Sequence, residues 1–327
     1  MSSAPTIDFH AHARSPKVAE IVEAVPGAPA MESTPHNRHL DATRYRPALT
    51  DVNVRLQTMD RQRIDMQVVS PAPNDTAFGY WADEEVSGRI VAAANEHVAD
   101  VCALRPDRLV GLGGVSLQFP ELAATQLRSA MTTLGLHGAE ISTSAGSLEF
   151  DDPRLDPFWK AAEELGAILF IHPPGNMLGG RIARYYQINL IGNPLDTTIA
   201  LTHLIFGGVL ERFPSLKIVA AHGGGYLPSY FSRTEHGHAV RPELQTVPHP
   251  PREYLRRIWI DNLVFNPENL AHLVSVMGAS RIVLGTDFPF DMGQDNPVEL
   301  VEAVPGLTDE QAALIKSGNA VELLGLR

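Results

Sequence analysis

Cysteine is almost absent from this chain: Cys102 is the sole one in 327 residues. No disulfide can form within the chain, so a reducing cytoplasm is the expected setting. Cys102 stands in an apolar helical stretch and reads as a core residue rather than a nucleophile. No apolar run approaches the roughly 20 residues that a membrane-spanning helix needs. The N-terminus lacks the charged and apolar segments of a signal peptide. Basic residues are outnumbered, with 26 Lys and Arg against 38 Asp and Glu, for a formal charge of -12. That balance argues against a nucleic-acid or anionic-membrane partner, while a few local arginines still allow an anionic small substrate. There is no low-complexity tract, no linker and no repeat beyond an alternation of strands and helices. One domain over residues 1–327 is the simplest organisation.

What is present is a series of eight short apolar, β-rich runs. They are Thr6 to Phe9, Gln67 to Ser70, Leu109 to Val115, Ala139 to Ser142, Ile168 to His172, Lys217 to Ala221, Ile258 to Asn262 and Arg281 to Gly285. Most are continuously hydrophobic, as parallel strands covered on both faces require. Helical patterns lie between them at Glu84–Leu104, Glu121–Leu134, Pro157–Leu165, Thr197–Arg212 and Pro267–Met277. A last one, Thr308–Leu324, opens with the capping-box pattern Thr308-Asp309-Glu310-Gln311. Strand and helix alternating eight times predict an α/β protein with a (β/α)8 TIM barrel. A doubly wound sheet is the alternative, but Arg14-Ser15-Pro16-Lys17 after the first strand is not a glycine-rich phosphate turn. Two connections are long. Residues 13–50, with prolines at 16, 26, 29, 35 and 47, read as a mostly irregular loop covering the site. Residues 223–257 form the other.

In such barrels the chemistry sits at the C-terminal ends of the strands. Strand one runs through Ile7-Asp8-Phe9-His10-Ala11-His12. Residues i and i+2 of a strand share a face, so His10 and His12 present two imidazoles together. Strand five ends at His172, strand six at His222 and strand eight at Asp287. The remaining histidines fall mostly in loops or helices. A single strand-end histidine is ordinarily structural, but this conjunction on one rim is that of a metal site. Three histidines and a carboxylate suit one zinc ion with an added water, and manganese, iron or cobalt also fit these ligands. His222 reads either as a further imidazole ligand or as a general base that later returns its proton. Gly223-Gly224-Gly225 behind it allows a sharp turn. Strand four, Gly138-Ala139-Glu140-Ile141, has no lysine of the kind that bridges two ions in binuclear hydrolases. One metal is therefore expected, with Glu140 either a second-metal ligand or a partner of the first site.

These segments resemble a known family, the amidohydrolase-related decarboxylases. The resemblance rests on Ile7-Asp8-Phe9-His10-Ala11-His12, Phe170-Ile171-His172-Pro173, Ala221-His222-Gly223-Gly224-Gly225 and Leu284-Gly285-Thr286-Asp287-Phe288-Pro289-Phe290. It extends through Val110-Gly111-Leu112-Gly113, Phe206-Gly207-Gly208 to Phe213-Pro214, and Gly318-Asn319-Ala320, nearly end to end. It implies zinc held by His10, His12, His172 and Asp287, with His222 activating a water. It also implies two arginines for substrate carboxylates: Arg46 or the nearby Arg44, and Arg233. In the family the second arginine reaches the neighbouring subunit's site, so a homodimer is implied. Guanidinium forks suit carboxylates. Two tryptophans of the semialdehyde-type branch are replaced here, one by Pro174 (ahead of Gly175 and Asn176) and one by Asn189. The change widens the pocket or makes it more polar. The hydroxybenzoate branch usually carries glutamate in place of the first histidine of His-x-His; this chain keeps both.

The expected reaction is non-oxidative decarboxylation of an unsaturated or aromatic carboxylic acid. A metal-dependent hydrolase or hydratase is the alternative. A barrel kept only for binding is the third reading, and intact metal and base residues on the rim speak against it.

Overall fold

The computed structural model describes residues 4–29, 34–174 and 179–326. Eight parallel strands surround one axis. They are β1 (Ile7–Ala13), β2 (Met66–Pro71), β3 (Leu109–Gly111, continuing as Gly113–Gly114), β4 (Gly138–Ile141), β5 (Ile168–Ile171), β6 (Lys217–Ala220), β7 (Trp259–Asp261) and β8 (Ile282–Val283). Each pairs in parallel with the next, β3 meeting β2 with its first segment and β4 with its second. The sheet closes on itself where Phe9 N donates to Leu284 O at 2.7 Å and Asp287 N donates to His10 O at 2.8 Å. This is the (β/α)8 barrel the alternation predicts.

Strand residues divide between two cores. Ile7, Phe9, Val68, Phe170, Val219, Trp259 and Val283 fill the barrel interior, with Leu323 and Leu324 of the last helix below them. Leu169, Ile171, Ile218, Ala220 and Ile282 face the surrounding helices. Strand β1 changes face part-way. Asp8 pairs with Gln67 but Ala11 pairs with Val69, an extra residue on β1 and so a bulge. A one-residue slip moves every later side chain to the opposite face. Ile7 and Phe9 point inward below the bulge; above it His10 and His12 do, while Ala13 joins the outer core.

The connection over residues 13–50 is not mostly irregular. It holds helices Pro16–Glu23, Pro35–Leu40 and Arg46–Thr50, the last two joined by a π-turn. Pro16, Pro35 and Pro47 occupy first turns, where a missing N–H costs nothing and the fixed φ favours the helix. Val18, Ile21 and Val22 pack on Ile90, Ala93 and Ala94 of the helix Glu84–Leu104. Each such burial stabilises by about 1.5–3 kcal/mol, which holds the insertion against the barrel flank. Two further helices, Val52–Arg61 and Pro73–Trp81, lie in stretches without a clear helical pattern. The predicted Thr197–Arg212 helix starts earlier, at Asn193, and breaks at Gly207 and Gly208. Thr308 caps the closing helices through the full capping box with Gln311. Cys102 packs partly buried beside the core, and burial pushes its thiol up to about 12, which suits a packing role.

Candidate metal centre and active site

Four strand ends converge as the rim residues predict. One ligand atom from each of His10, His12, His172 and Asp287 lies within 4.8 Å of the others, and all four residues are buried. The Nε2 atoms of all three histidines and Oδ1 of Asp287 have no hydrogen-bond partner. An unpaired buried polar atom costs about 1–3 kcal/mol, so four turned toward one point are a strong sign of an ion they share. In His10 and His12 the other ring nitrogen is occupied. His10 Nδ1 donates to Asp261 Oδ2 at 2.8 Å, and His12 Nδ1 donates to Pro71 O at 3.1 Å. With the Nδ1 proton engaged in this way, Nε2 of His10 and of His12 is the nitrogen that faces a cation.

The electrostatics agree with a bound cation. Burial disfavours a charge on His10, but the Asp287 carboxylate and the hydrogen bond to Asp261 outweigh it and raise the imidazole to about 10. His172 is held well below its ordinary value by burial and by the neighbouring imidazoles, so it is neutral. Burial opposes ionisation of Asp287, but the surrounding histidines prevail and hold it well below the usual carboxylate range. The pocket thus favours positive charge beside an ionised carboxylate. The donor set fits a divalent transition ion: three imidazole nitrogens and one carboxylate oxygen.

His222 stands at the edge of this cluster, with Nε2 at 3.7 Å from Asp287 Oδ2. It is less buried than the four ligands and lines the adjoining cavity. Both His222 and Asp287 sit in the left-handed backbone region, at φ of 55° and 57°. A non-glycine residue there costs about 1–3 kcal/mol and persists only where its surroundings hold it. The glycines behind His222 allow the turn to pack closely: a Cβ on Gly225 would meet Pro194 O at 2.2 Å.

A cavity of about 330 Å³ opens beside His222 and Asp287. Asn189, Tyr226, Phe265 and His272 are among its walls. Asn189 therefore lines the same cavity as His222 and Asp287. Pro174 is exposed, and Gly175 and Asn176 lie outside the described residues. None of the expected arginines lines this cavity. Arg46 is paired with Asp41 at 2.7 Å and is 67% exposed. Arg44 donates to Pro289 O at 3.0 Å and to Asp295 Oδ1 at 3.3 Å, facing a separate cavity behind the 286–295 loop. Arg233 lies exposed on the helix Phe231–Val240, with no ion pair among the described residues. Nor do the described residues of the 13–50 insertion line the cavity; its Tyr45 ring packs on Phe290, which packs on His12.

Glu140 lies on the far side of His12. It accepts from Ser70 Oγ at 2.5 Å and Thr76 Oγ1 at 3.2 Å, and sits 3.4 Å from His12 Nδ1. It is a partner of the ligand, outside the four-residue cluster. Asp8 and Asp261 also belong to the site, outside the four-residue cluster. Asp8 accepts from the backbone N–H groups of His10 and Thr286, fixing β1 to the strand that ends at Asp287. Asp261 sits at the C-terminal end of β7, and the rim rule that selected His172 and His222 would have selected it too.

Comparison with known proteins places the chain in a family. The amidohydrolase family model matches residues 7–326, and the chain belongs to that family. Among its relatives, the 2-amino-3-carboxymuconate-6-semialdehyde decarboxylase of Dictyostelium discoideum is 39% identical, over 84% of this chain and 77% of that protein. The crystal structure of 5-carboxyvanillate decarboxylase from Sphingomonas paucimobilis superposes with a TM-score of 0.84 at 25% identity, covering 99% of this chain and 100% of that one. A 5-carboxyvanillate decarboxylase from Novosphingobium aromaticivorans, complexed with manganese and a nitrobenzoic acid, shares the fold with a TM-score of 0.84 at 21% identity, over 99% and 96% of the chains.

Proposed function

We propose that this chain is a zinc-dependent, non-oxidative decarboxylase of an unsaturated or aromatic carboxylic acid, of the 2-amino-3-carboxymuconate-6-semialdehyde type. The observation that carries it is the meeting of three unpartnered imidazole Nε2 atoms with Asp287, which lines one cavity together with His222. A divalent ion held by His10, His12, His172 and Asp287 supplies Lewis acidity toward a substrate oxygen or a water. Zinc suits the donor set, and manganese, iron and cobalt are the alternatives; a structural neighbour holds manganese.

His222 is the group placed to move protons. Imidazole is the side chain most often used for general acid–base work, and this one borders both the cavity and Asp287. It takes a proton as general base and returns one to the carbon that loses carbon dioxide. The carbon–carbon bond to the carboxylate breaks, its electron pair stays on the ring or chain carbon, and a carbon–hydrogen bond replaces it. Asn189 occupies the cavity wall, where it offers an amide to the substrate in place of a flat apolar surface.

The cavity needs a cation for a second carboxylate, and a second copy of the chain supplies it in this reading. Tyr226 and Phe265 are cavity walls that remain 42% and 53% exposed, and Leu190 beside them is 51% exposed. Such an apolar rim favours a protein partner. Arg233 lies three residues after the exposed Tyr230, and in this reading it reaches across in a homodimer. Arg46 and Arg44 join the substrate only if binding draws them from Asp41 and Asp295. The sole, partly buried cysteine accords with a cytoplasmic location, and no helix among the described residues is long and apolar enough to cross a membrane.

The test is carbon dioxide release from 2-amino-3-carboxymuconate 6-semialdehyde and from hydroxylated benzoates, using protein reconstituted separately with Zn2+, Mn2+, Fe2+ and Co2+. Turnover of one such acid, with loss of carbon dioxide in the product mass, supports the reading. Products that are cleaved or hydrated instead point to a hydrolase or hydratase, and silence with every acid and metal sinks decarboxylation.

A further inference from the structure

Asp261 receives four hydrogen bonds and none of them is incidental. Its Oδ2 accepts from His10 Nδ1 at 2.8 Å and from the backbone N–H of His222 at 2.9 Å. Its Oδ1 accepts from Gly223 N at 2.8 Å and Leu263 N at 3.1 Å. The carboxylate is fully buried, at 0% exposure. It lies outside the cavity walls, so it has no contact with substrate there. One oxygen atom therefore ties a metal ligand to the base, and the other ties down the turn that the base sits on.

We infer that Asp261 is the positioning residue that couples the metal site to His222. It acts in two directions. Toward His10 it keeps the proton on Nδ1, which leaves the Nε2 lone pair for the ion. Toward His222 it grips two successive N–H groups at the left-handed turn. That grip holds the His222 backbone in a conformation side chains avoid and aims its imidazole at Asp287. This inference rests on the functional reading above only for the role of His222.

All four groups around Asp261 are donors, and that makes one substitution diagnostic. In Asp261→Asn the amide must turn its NH2 toward one donor pair. Turned toward His10, it forces the imidazole to accept at Nδ1 and carry its proton on Nε2, which cannot then ligate. Turned toward Gly223, it opposes two backbone N–H groups and releases the turn. Either orientation damages at least one of the two couplings and leaves the cavity walls Asn189, Phe265 and His272 in place.

The experiment uses the full-length protein loaded with Zn2+. Zinc release to a competing chelator is expected to be about 10–100-fold faster in Asp261→Asn than in the wild type. At saturating zinc, kcat is expected to fall by more than KM rises, because the walls Asn189, Phe265 and His272 make no hydrogen bond to Asp261. Wild-type release and wild-type kcat together would overturn the inference. Fast release with full kcat would overturn its His222 half. Should the variant not fold, nitrogen NMR of the zinc-loaded, histidine-labelled wild type decides the His10 half: a proton on Nδ1 is expected, and a proton on Nε2 overturns it. Metal release and tautomer do not depend on which acid is turned over. A protein that passes both and decarboxylates nothing defeats the functional reading alone.

Discussion

The Nε2 atoms of His10 and His12 each lie 3.3 Å from a single oxygen, Oδ1 of Asp287. Two buried imidazole nitrogens without a hydrogen-bond partner, converging on one carboxylate oxygen, form the arrangement that a shared cation holds. Asp287→Asn removes the charge and keeps the shape. Its metal affinity is expected to fall more than ~100-fold, because this loses a ligand and not merely a supporting hydrogen bond. Metal content after dialysis measures this. Full occupancy in the variant would show that Asp287 is no ligand.

His222 separates from the ligands in the same kind of experiment. Asn tolerates the left-handed backbone that His222 adopts, so His222→Asn removes the imidazole without straining the turn further. kcat is expected to fall about 10²–10⁴-fold, the usual worth of general acid–base help, with the metal retained. A variant that lost its metal would make His222 a ligand instead, and one at full rate would remove it from the chemistry.

Gly285 lies between Asp261 and His10. A Cβ there would stand 2.9 Å from Asp261 Cβ and 3.1 Å from His10 Cβ, both close to the backbone and slow to yield. Gly285→Ala is expected to cost roughly 1–3 kcal/mol of stability by overpacking and to weaken metal binding, since His10 must shift. Thermal unfolding with and without zinc reads both effects. An unchanged Tm in both states would mean the interior has more give than these distances allow.

The barrel was legible because its strands are covered on both faces and therefore read as apolar runs. The four ligands were legible because the rim rule turns a list of strand ends into a list of candidates. The bulge in β1 was not. His10 and His12 share a face by simple alternation, but alternation alone would send them to the face opposite Ile7 and Phe9. Register depends on the neighbouring strand, which a single run of residues does not specify. The 13–50 insertion misled because prolines read as breaks, whereas Pro16, Pro35 and Pro47 begin helices. The arginines show the reverse limit. Arg46 and Arg44 are chosen by their place along the chain, but side-chain direction and competing carboxylates such as Asp41 and Asp295 are tertiary facts.

Asp75 gives the fold a pH dependence separate from the metal. Burial raises its carboxyl to about 7, although it accepts a hydrogen bond from Ser15 N and lies near Arg14. Its folded pKa thus exceeds the unfolded value of 3.8. The folded state holds this proton more tightly, so stability is highest at low pH with respect to this group. It declines as pH rises from about 4 through about 7, and the loss is complete above that. Asp75→Asn keeps an oxygen for Ser15 N and removes the charge. Its stability relative to wild type is expected to grow from pH 5 to pH 8, by an amount on the order of 2–4 kcal/mol. Denaturant midpoints at the two pH values measure it, and a constant difference would show that Asp75 is ionised throughout.

Arg233 is the residue on which the assembly and the chemistry meet. If it serves the partner's cavity, then a subunit with Arg233→Ala still has a working His222 and lacks only the arginine its partner lends. A subunit with His222→Asn has no base but still lends Arg233. Each variant alone is expected to be nearly inactive. Mixed in equal amounts by co-expression, they form dimers of which half are heterodimers, each with one complete site. Activity is then expected to recover to about a quarter of wild type, as random pairing in a two-fold dimer dictates. An arginine acting within its own chain allows no such recovery, because every subunit then lacks one of the two groups. Recovery in the mixture, and its absence in either variant by itself, distinguishes the shared site from a self-contained one.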